Sequence, residues 1–184
     1  MKRKEFLRSS CALGMCTCAG ISIFSNGNIF AQSNSNPDDK PDWQLGFMQR
    51  RFAKFLEILS SSVNEEKSIE ILEKLGRECA KEYRDSYVKF KGNIEGFLEE
   101  IKKEWVENAV FDKEANSIRI SGKKKESCFC PFVDKSITPS SFCNCSLGYN
   151  KEVFETIVNK PVKVQLGQSI LRGGNSCDVL IEII

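Results

Sequence analysis

The sequence predicts an α+β domain in which N-terminal helices pack on a mainly antiparallel sheet of hairpins, with one helix between the hairpins. Two observations carry this. Apolar residues repeat at three and four positions through about residue 105, then alternate singly on both sides of one further helical stretch. The order of helices first and hairpins later favours a layer of helices on an antiparallel sheet over a parallel, doubly wound one.

Each element has its own signal. Between Gln44 and Ser60, Phe47, Met48, Phe52, Phe55, Leu56 and Leu59 form a stripe at helical spacing. Asn64 offers a cap acceptor ahead of Glu65 and Glu66, and Ile69, Leu72, Gly76, Cys79 and Tyr83 continue a second helix with Cys79 expected on its buried side. Asn93 opens a third, whose stripe is Ile94, Phe97, Leu98, Ile101 and Trp105. Val110 and Phe111, then Ile118 and Ile120, flank a turn-rich segment and predict a hairpin. Lys123, Lys124 and Lys125 read as a solvated loop. A fourth helix is expected from Asn150, with Val153, Phe154, Ile157 and Val158 inward, and Pro161 stops it. Val162, Val164 and Leu166 alternate towards Ile170. The segment from Arg172 to Asn175 then turns the chain into a last strand with Cys177, Val179, Ile181 and Ile183 on its core face.

Of the 184 residues, 1–31 read as an export signal, 32–42 as a polar linker and 43–184 as a single domain. Lys2, Arg3, Lys4 and Arg8 precede a weakly apolar stretch to Phe30 and the small residue Ala31. The run Arg3-Lys4-Glu5-Phe6-Leu7-Arg8 is similar to a twin-arginine signal, with lysine in place of the second arginine. The mature chain is therefore expected outside the cytoplasm, periplasmic or extracellular. Ser22, Ser25, Asn26, Gly27 and Asn28 break the apolar run short of the roughly 20 residues of a spanning helix, so no stable membrane anchor is expected after processing.

Composition excludes more than it assigns. The chain has no histidine, which rules out Ser-His-Asp and Cys-His catalysis and any His-ligated metal. The net charge of +2 resides in the leader: without its four cations and Glu5, 23 basic residues face 24 acidic ones. A nucleic-acid footprint is absent from such a balance. There is no glycine-rich phosphate loop, serine elbow or calcium loop, and nothing sets an oligomeric state.

The least random feature is cysteine. Beyond the leader stand Cys79, Cys128, Cys130, Cys143, Cys145 and Cys177. Cys128 and Cys130, then Cys143 and Cys145, form two Cys-x-Cys pairs with a 12-residue loop between them. In extended chain, residues two apart face the same way, so four thiolates of Cys128, Cys130, Cys143 and Cys145 could converge on zinc, an iron-sulfur cluster or cuprous copper. Disulfides are the competing reading, because an exported chain with six cysteines can pair them without remainder. Cross-pairing is then preferred over a strained ring within one pair. Cys79 and Cys177 read as plain buried thiols.

Towards its end the chain resembles a known group. Cys145-Ser-Leu-Gly148-Tyr149, Phe154-Glu-Thr-Ile157, Pro161-Val162-Lys-Val164, Ser169-Ile170-Leu-Arg-Gly173-Gly174 and Cys177-Asp-Val-Leu-Ile181 are similar to the 4-vinyl reductase-like small-molecule-binding domains and the related L-2-amino-thiazoline-4-carboxylic acid hydrolase-like proteins. The resemblance implies an α+β domain enclosing an apolar pocket with cysteines near it. Cys145 (or Cys143) and Cys177 would take the places of the first and last cysteines of that group, and Ser169 stands where a middle cysteine is expected. The function this suggests is an exported small-ligand- or metal-binding protein with a four-cysteine site beside the pocket. The alternatives are a hydrolase acting on a small carbon-nitrogen ring and a disulfide-stabilised structural domain.

Overall fold

The computed structural model describes residues 42–184, so the expected leader and most of the linker lie outside the described residues. Five helices and a four-stranded sheet follow one another: α1 (Asp42–Ser62), α2 (Glu65–Glu82), α3 (Arg84–Val88), α4 (Ile94–Glu104), β1 (Val106–Asp112), β2 (Ser117–Gly122), α5 (Asn144–Val158), β3 (Val162–Leu166) and β4 (Asp178–Ile183). The expected α+β class holds. Every strand pairing is antiparallel, and the order across the sheet is β1-β2-β4-β3.

The helix starts follow their caps. Asn64 accepts a 2.8 Å hydrogen bond from the Lys67 amide, and Asn93 accepts one of 2.9 Å from the Gly96 amide. Alternation in β2 and β4 buries Ile118, Ile120, Val179 and Ile181, which meet Phe97, Leu98 and Ile101 of α4 and Val153, Phe154 and Ile157 of α5 in the main core. A second, smaller core forms from Leu56 of α1, Leu72 of α2, and Val133 and Phe142 of the long connection before α5.

Three expectations change. The second hairpin is present, but β3 and β4 are joined by a longer excursion holding a short 3-10 turn, Ile170–Arg172, which Gly173 closes at φ 87°. The fourth helix begins at Asn144, not Asn150, directly after a 3-10 turn over Ser140–Cys143. Cys79 is exposed rather than buried. The buried line of α2 is Ser68, Leu72, Gly76 and Ala80, one position round from the stripe that placed Cys79 inward.

Helices α2 and α5 meet at backbone contact. A side-chain carbon on Gly76 would overlap the carbonyl oxygen of Cys145, and one on Gly148 would overlap that of Glu73. Across this crossing Arg77 donates to Glu152 at 3.0 Å and to Glu155 at 2.8 Å, while Lys151 reaches Glu73. The pairing with both carboxylates holds the Arg77 guanidinium above its ordinary pKa, Glu155 contributing most.

A cysteine gathering beside a small cavity

The close crossing of α2 and α5 places Cys145, in the first turn of α5, against the helix that carries Cys79. Cys143 ends the preceding 3-10 turn and is buried, its Sγ 3.1 Å from Ser169 Oγ. Cys128 and Cys130 lie in the irregular connection after β2 and, with Cys145, pack on the small core. Cys177, expected buried on the core face of the last strand, instead precedes β4 and is half-buried; its carbonyl accepts from the Gly122 amide at 3.0 Å, so the chain leaving β2 runs beside it.

The sequence expected each Cys-x-Cys to aim two sulfurs at one point. Neither pair lies in a strand. Cys143 and Cys145 straddle a helix start, where residues two apart point to different sides. Their nearest thiols differ accordingly. Burial pushes the Cys145 thiol up to about 12, with Cys79 the first thiol adding to the effect and Cys130 and Cys143 after it. Burial likewise pushes Cys128 up to about 11, with Cys177 first, then Cys143 and Cys130. Cys143 is raised by burial against the opposing Ser169 hydrogen bond and Arg172. Cys79 is raised by burial and by Cys130. Cys128, Cys130 and Cys145 thus share the small core, Cys143 is buried on Ser169, and Cys79 and Cys177 are the thiols that act most on Cys145 and Cys128.

Their raised pKa values keep Cys79, Cys128, Cys143 and Cys145 as thiols rather than thiolates at neutral pH. A soft metal ion would have to displace their protons. Among the described residues, no three Cys, Asp or Glu side chains already stand in a metal-holding arrangement. None of the six described cysteines is in a disulfide. Activated nucleophiles need the opposite shift, through a cation or helix N-terminus.

A partly open recess of about 90 Å³ has a wall that includes Ser86 and Tyr87 of α3, Phe97, Ile101 and Glu104 of α4, Ile120 of β2 and Tyr149 and Asn150 of α5. Tyr87 is buried, and its hydroxyl makes no hydrogen bond of good geometry among the described residues, although the Arg84 guanidinium is near enough to act on it. Such an orphan costs about 1–3 kcal/mol unless something fills the space and meets it. Asn150 is satisfied by the Ser146 carbonyl at 2.8 Å. Tyr149 joins the two features: burial pushes its hydroxyl up to about 12, and the groups that add most to this are Cys79 and Tyr87. A larger depression of about 360 Å³ on the outside of α3 and α5 is open and lined by Arg84, Lys91, Glu152 and Glu155. It is a surface feature, and Glu152 and Glu155 are already engaged by Arg77.

The resemblance implied an apolar pocket but not its polar lining, because Tyr87 and Tyr149 stand on helices far apart in the chain. An isolated tyrosine in a helical stripe carries no signal of an unmet hydroxyl.

Fold and site together define an α+β domain with helices packed on an antiparallel sheet and a small recess walled in part by Tyr87 and Tyr149. The chain belongs to DUF6144, a family of unknown function, which matches residues 28–184. No curated protein matches the sequence. Among solved structures, it is similar to a trafficking protein particle complex subunit 3 from Naegleria fowleri covalently bound to palmitic acid. The TM-score is 0.53 at 12% identity, over 77% of this chain and 96% of that one. The phenol-responsive sensory domain of the transcription activator PoxR, solved with phenol, matches at a TM-score of 0.45 and 14% identity, over 73% and 74% of the two chains.

Proposed function

We propose that the protein is a small-ligand-binding domain, and that the ligand sits in the cavity with a hydrogen-bonding group on the Tyr87 hydroxyl. The observation that carries this is the buried Tyr87 hydroxyl without a hydrogen bond, in a wall that mixes Phe97, Ile101, Ile120 and Phe154 with Glu104, Tyr149 and Asn150. The resemblance to 4-vinyl reductase-like domains leads to the same reading. So does the palmitic acid held by a protein of similar fold, although a long acyl chain far exceeds about 90 Å³. A cavity below the about 150 Å³ that accepts benzene in a well-studied case favours a compact, uncharged molecule with one polar atom. The test is ligand-observed NMR on the purified chain with small molecules of one shape that differ only in that atom, isobutane against 2-propanol. Binding of 2-propanol in preference to isobutane, with the preference lost in Tyr87→Phe, supports the proposal. Equal binding, or a preference that survives the substitution, removes it.

A second reading has its own observation, the packing of Cys128, Cys130 and Cys145 on one small core. We infer that Cys128, Cys130, Cys143 and Cys145, supported by Cys79 and Cys177, take up a soft ion such as zinc or cuprous copper, or an iron-sulfur cluster, in a protein that works outside the cytoplasm. The hydrolase reading has less behind it, since the resolved thiol shifts are all upward and no histidine is present to act as base. Metal content and free-thiol count on protein from its native compartment separate the readings: bound metal supports the soft-ion site, and full oxidation without metal supports the disulfide-stabilised domain instead.

A further inference from the structure

We propose that the outer face of α1 docks peripherally on an anionic lipid surface. Helix α1 has two apolar sides. One buries Ala53 and Leu56 and half-buries Phe52 and Leu59 against the domain. The other presents Trp43, Phe47, Met48, Phe55 and Ile58, each between 42 and 65% exposed. A surface helix of a free-standing domain needs one apolar stripe, so the second has no partner within the described fold.

The patch extends beyond the helix. Phe132 is 43% exposed, its ring centre lies 5.4 Å from that of Phe52, and Gln49 donates to the Pro131 carbonyl at 2.9 Å. Contiguous apolar surface of this kind marks an interaction site.

Charge selects the occupant. Arg50, Arg51 and Lys54 are exposed among these apolar groups, and the Arg51 guanidinium lies 5.2 Å over the Phe47 ring. Glu57 is the one carboxylate among the described side chains of the helix, and Lys54 holds it at 2.7 Å. A second copy of the chain would set the same cations against one another. Phospholipid headgroups of negative charge complement them, while tryptophan and phenylalanine rings enter the headgroup-acyl boundary and the arginine stems extend outward. The contact is peripheral, since no helix among the described residues is long and apolar enough to cross a membrane.

The test is co-sedimentation of the full chain with vesicles of phosphatidylglycerol and phosphatidylcholine, against vesicles of phosphatidylcholine alone. Binding to the anionic vesicles is expected to exceed binding to the neutral ones and to weaken with salt. The paired substitutions Arg50→Glu with Arg51→Glu, and Phe47→Ser with Phe55→Ser, are each expected to reduce it at least about tenfold without moving the thermal midpoint. The apolar stretch of residues 11–30 has its own membrane affinity in prospect, so the variants decide: binding unchanged in both overturns the proposal. So does absence of vesicle binding together with a concentration-dependent dimer that the same substitutions abolish, which assigns the face to a second copy.

Discussion

The carbonyl oxygen of Cys145 occupies the space that a side chain on Gly76 would need. Because both contacting groups are backbone, neither can swing aside, and the position of the first turn of α5 on α2 is fixed by the absence of a single carbon atom.

The reciprocal contact, Gly148 on Glu73, makes the sharpest stability test. Gly148→Ala is expected to cost at least about 3 kcal/mol, at or above the upper end for overpacking, since the obstacle is main chain. Gly46→Ala on α1 meets only the flexible tip of Arg50, and is expected to be neutral or slightly stabilising through helix propensity. Urea unfolding of both variants checks the contrast.

Thiol chemistry should follow burial and pH. Cys79, the exposed cysteine, is expected to react first with an alkylating agent in native protein, with Cys145 far behind, as peptide mass spectrometry after brief labelling would read. Cys128 and Cys145 have an ordinary pKa of 9.0, raised in the fold to about 11 and about 12. The fold therefore resists their ionisation. Their contribution to stability is fully present below pH 9 and declines as pH rises through 11 and 12, so the denaturation midpoint should fall over that window and recover part of the loss in Cys145→Ala.

Ser169 offers a gain-of-function test of the soft-ion reading. Its hydroxyl oxygen stands 3.1 Å from the Cys143 sulfur, at the position where the resemblance implies another cysteine. Ser169→Cys is expected to tighten zinc binding at least about tenfold, by supplying a further soft ligand, while Ser169→Ala costs about 1 kcal/mol of stability through the lost hydrogen bond. Competition with a zinc indicator reads the first, and thermal unfolding the second.

Cys177 is the first thiol to act on Cys128, so Cys177→Ala should lower metal content if the soft-ion reading holds. If the residue is a plain core filler, the variant loses about 1 kcal/mol of stability and keeps its metal.

Local signals in the sequence reached the right elements. Asn64 and Asn93 announced their helices because a cap is a contact between neighbours in sequence, and the alternation of Val179 and Ile181 identified a core strand. The errors lie where a distant segment decides. Gly76 and Ala80, not Cys79, face inward on α2 because α5 crosses there, and a helical stripe read alone can be rotated by one residue without contradiction. The geometric reason for grouping the four sulfurs does not hold, because the chain at Cys143 and Cys145 is turning into a helix rather than extended. Helix α3 escaped notice because five residues are too few to display a period.

Strand β4 lies between β2 and β3, and this has a consequence during synthesis. The β1-β2 hairpin and strand β3 are made earlier, but they share no edge, and the residues that join them are Asp178–Ile183. Until that stretch has left the ribosome, the β4-facing edges of β2 and β3 remain unpaired, and Ile118 and Ile120 have a partner strand on the β1 side alone. The pairing of β2 and β3 through β4 therefore comes after both are made, and in that interval their open edges are templates for pairing with other chains.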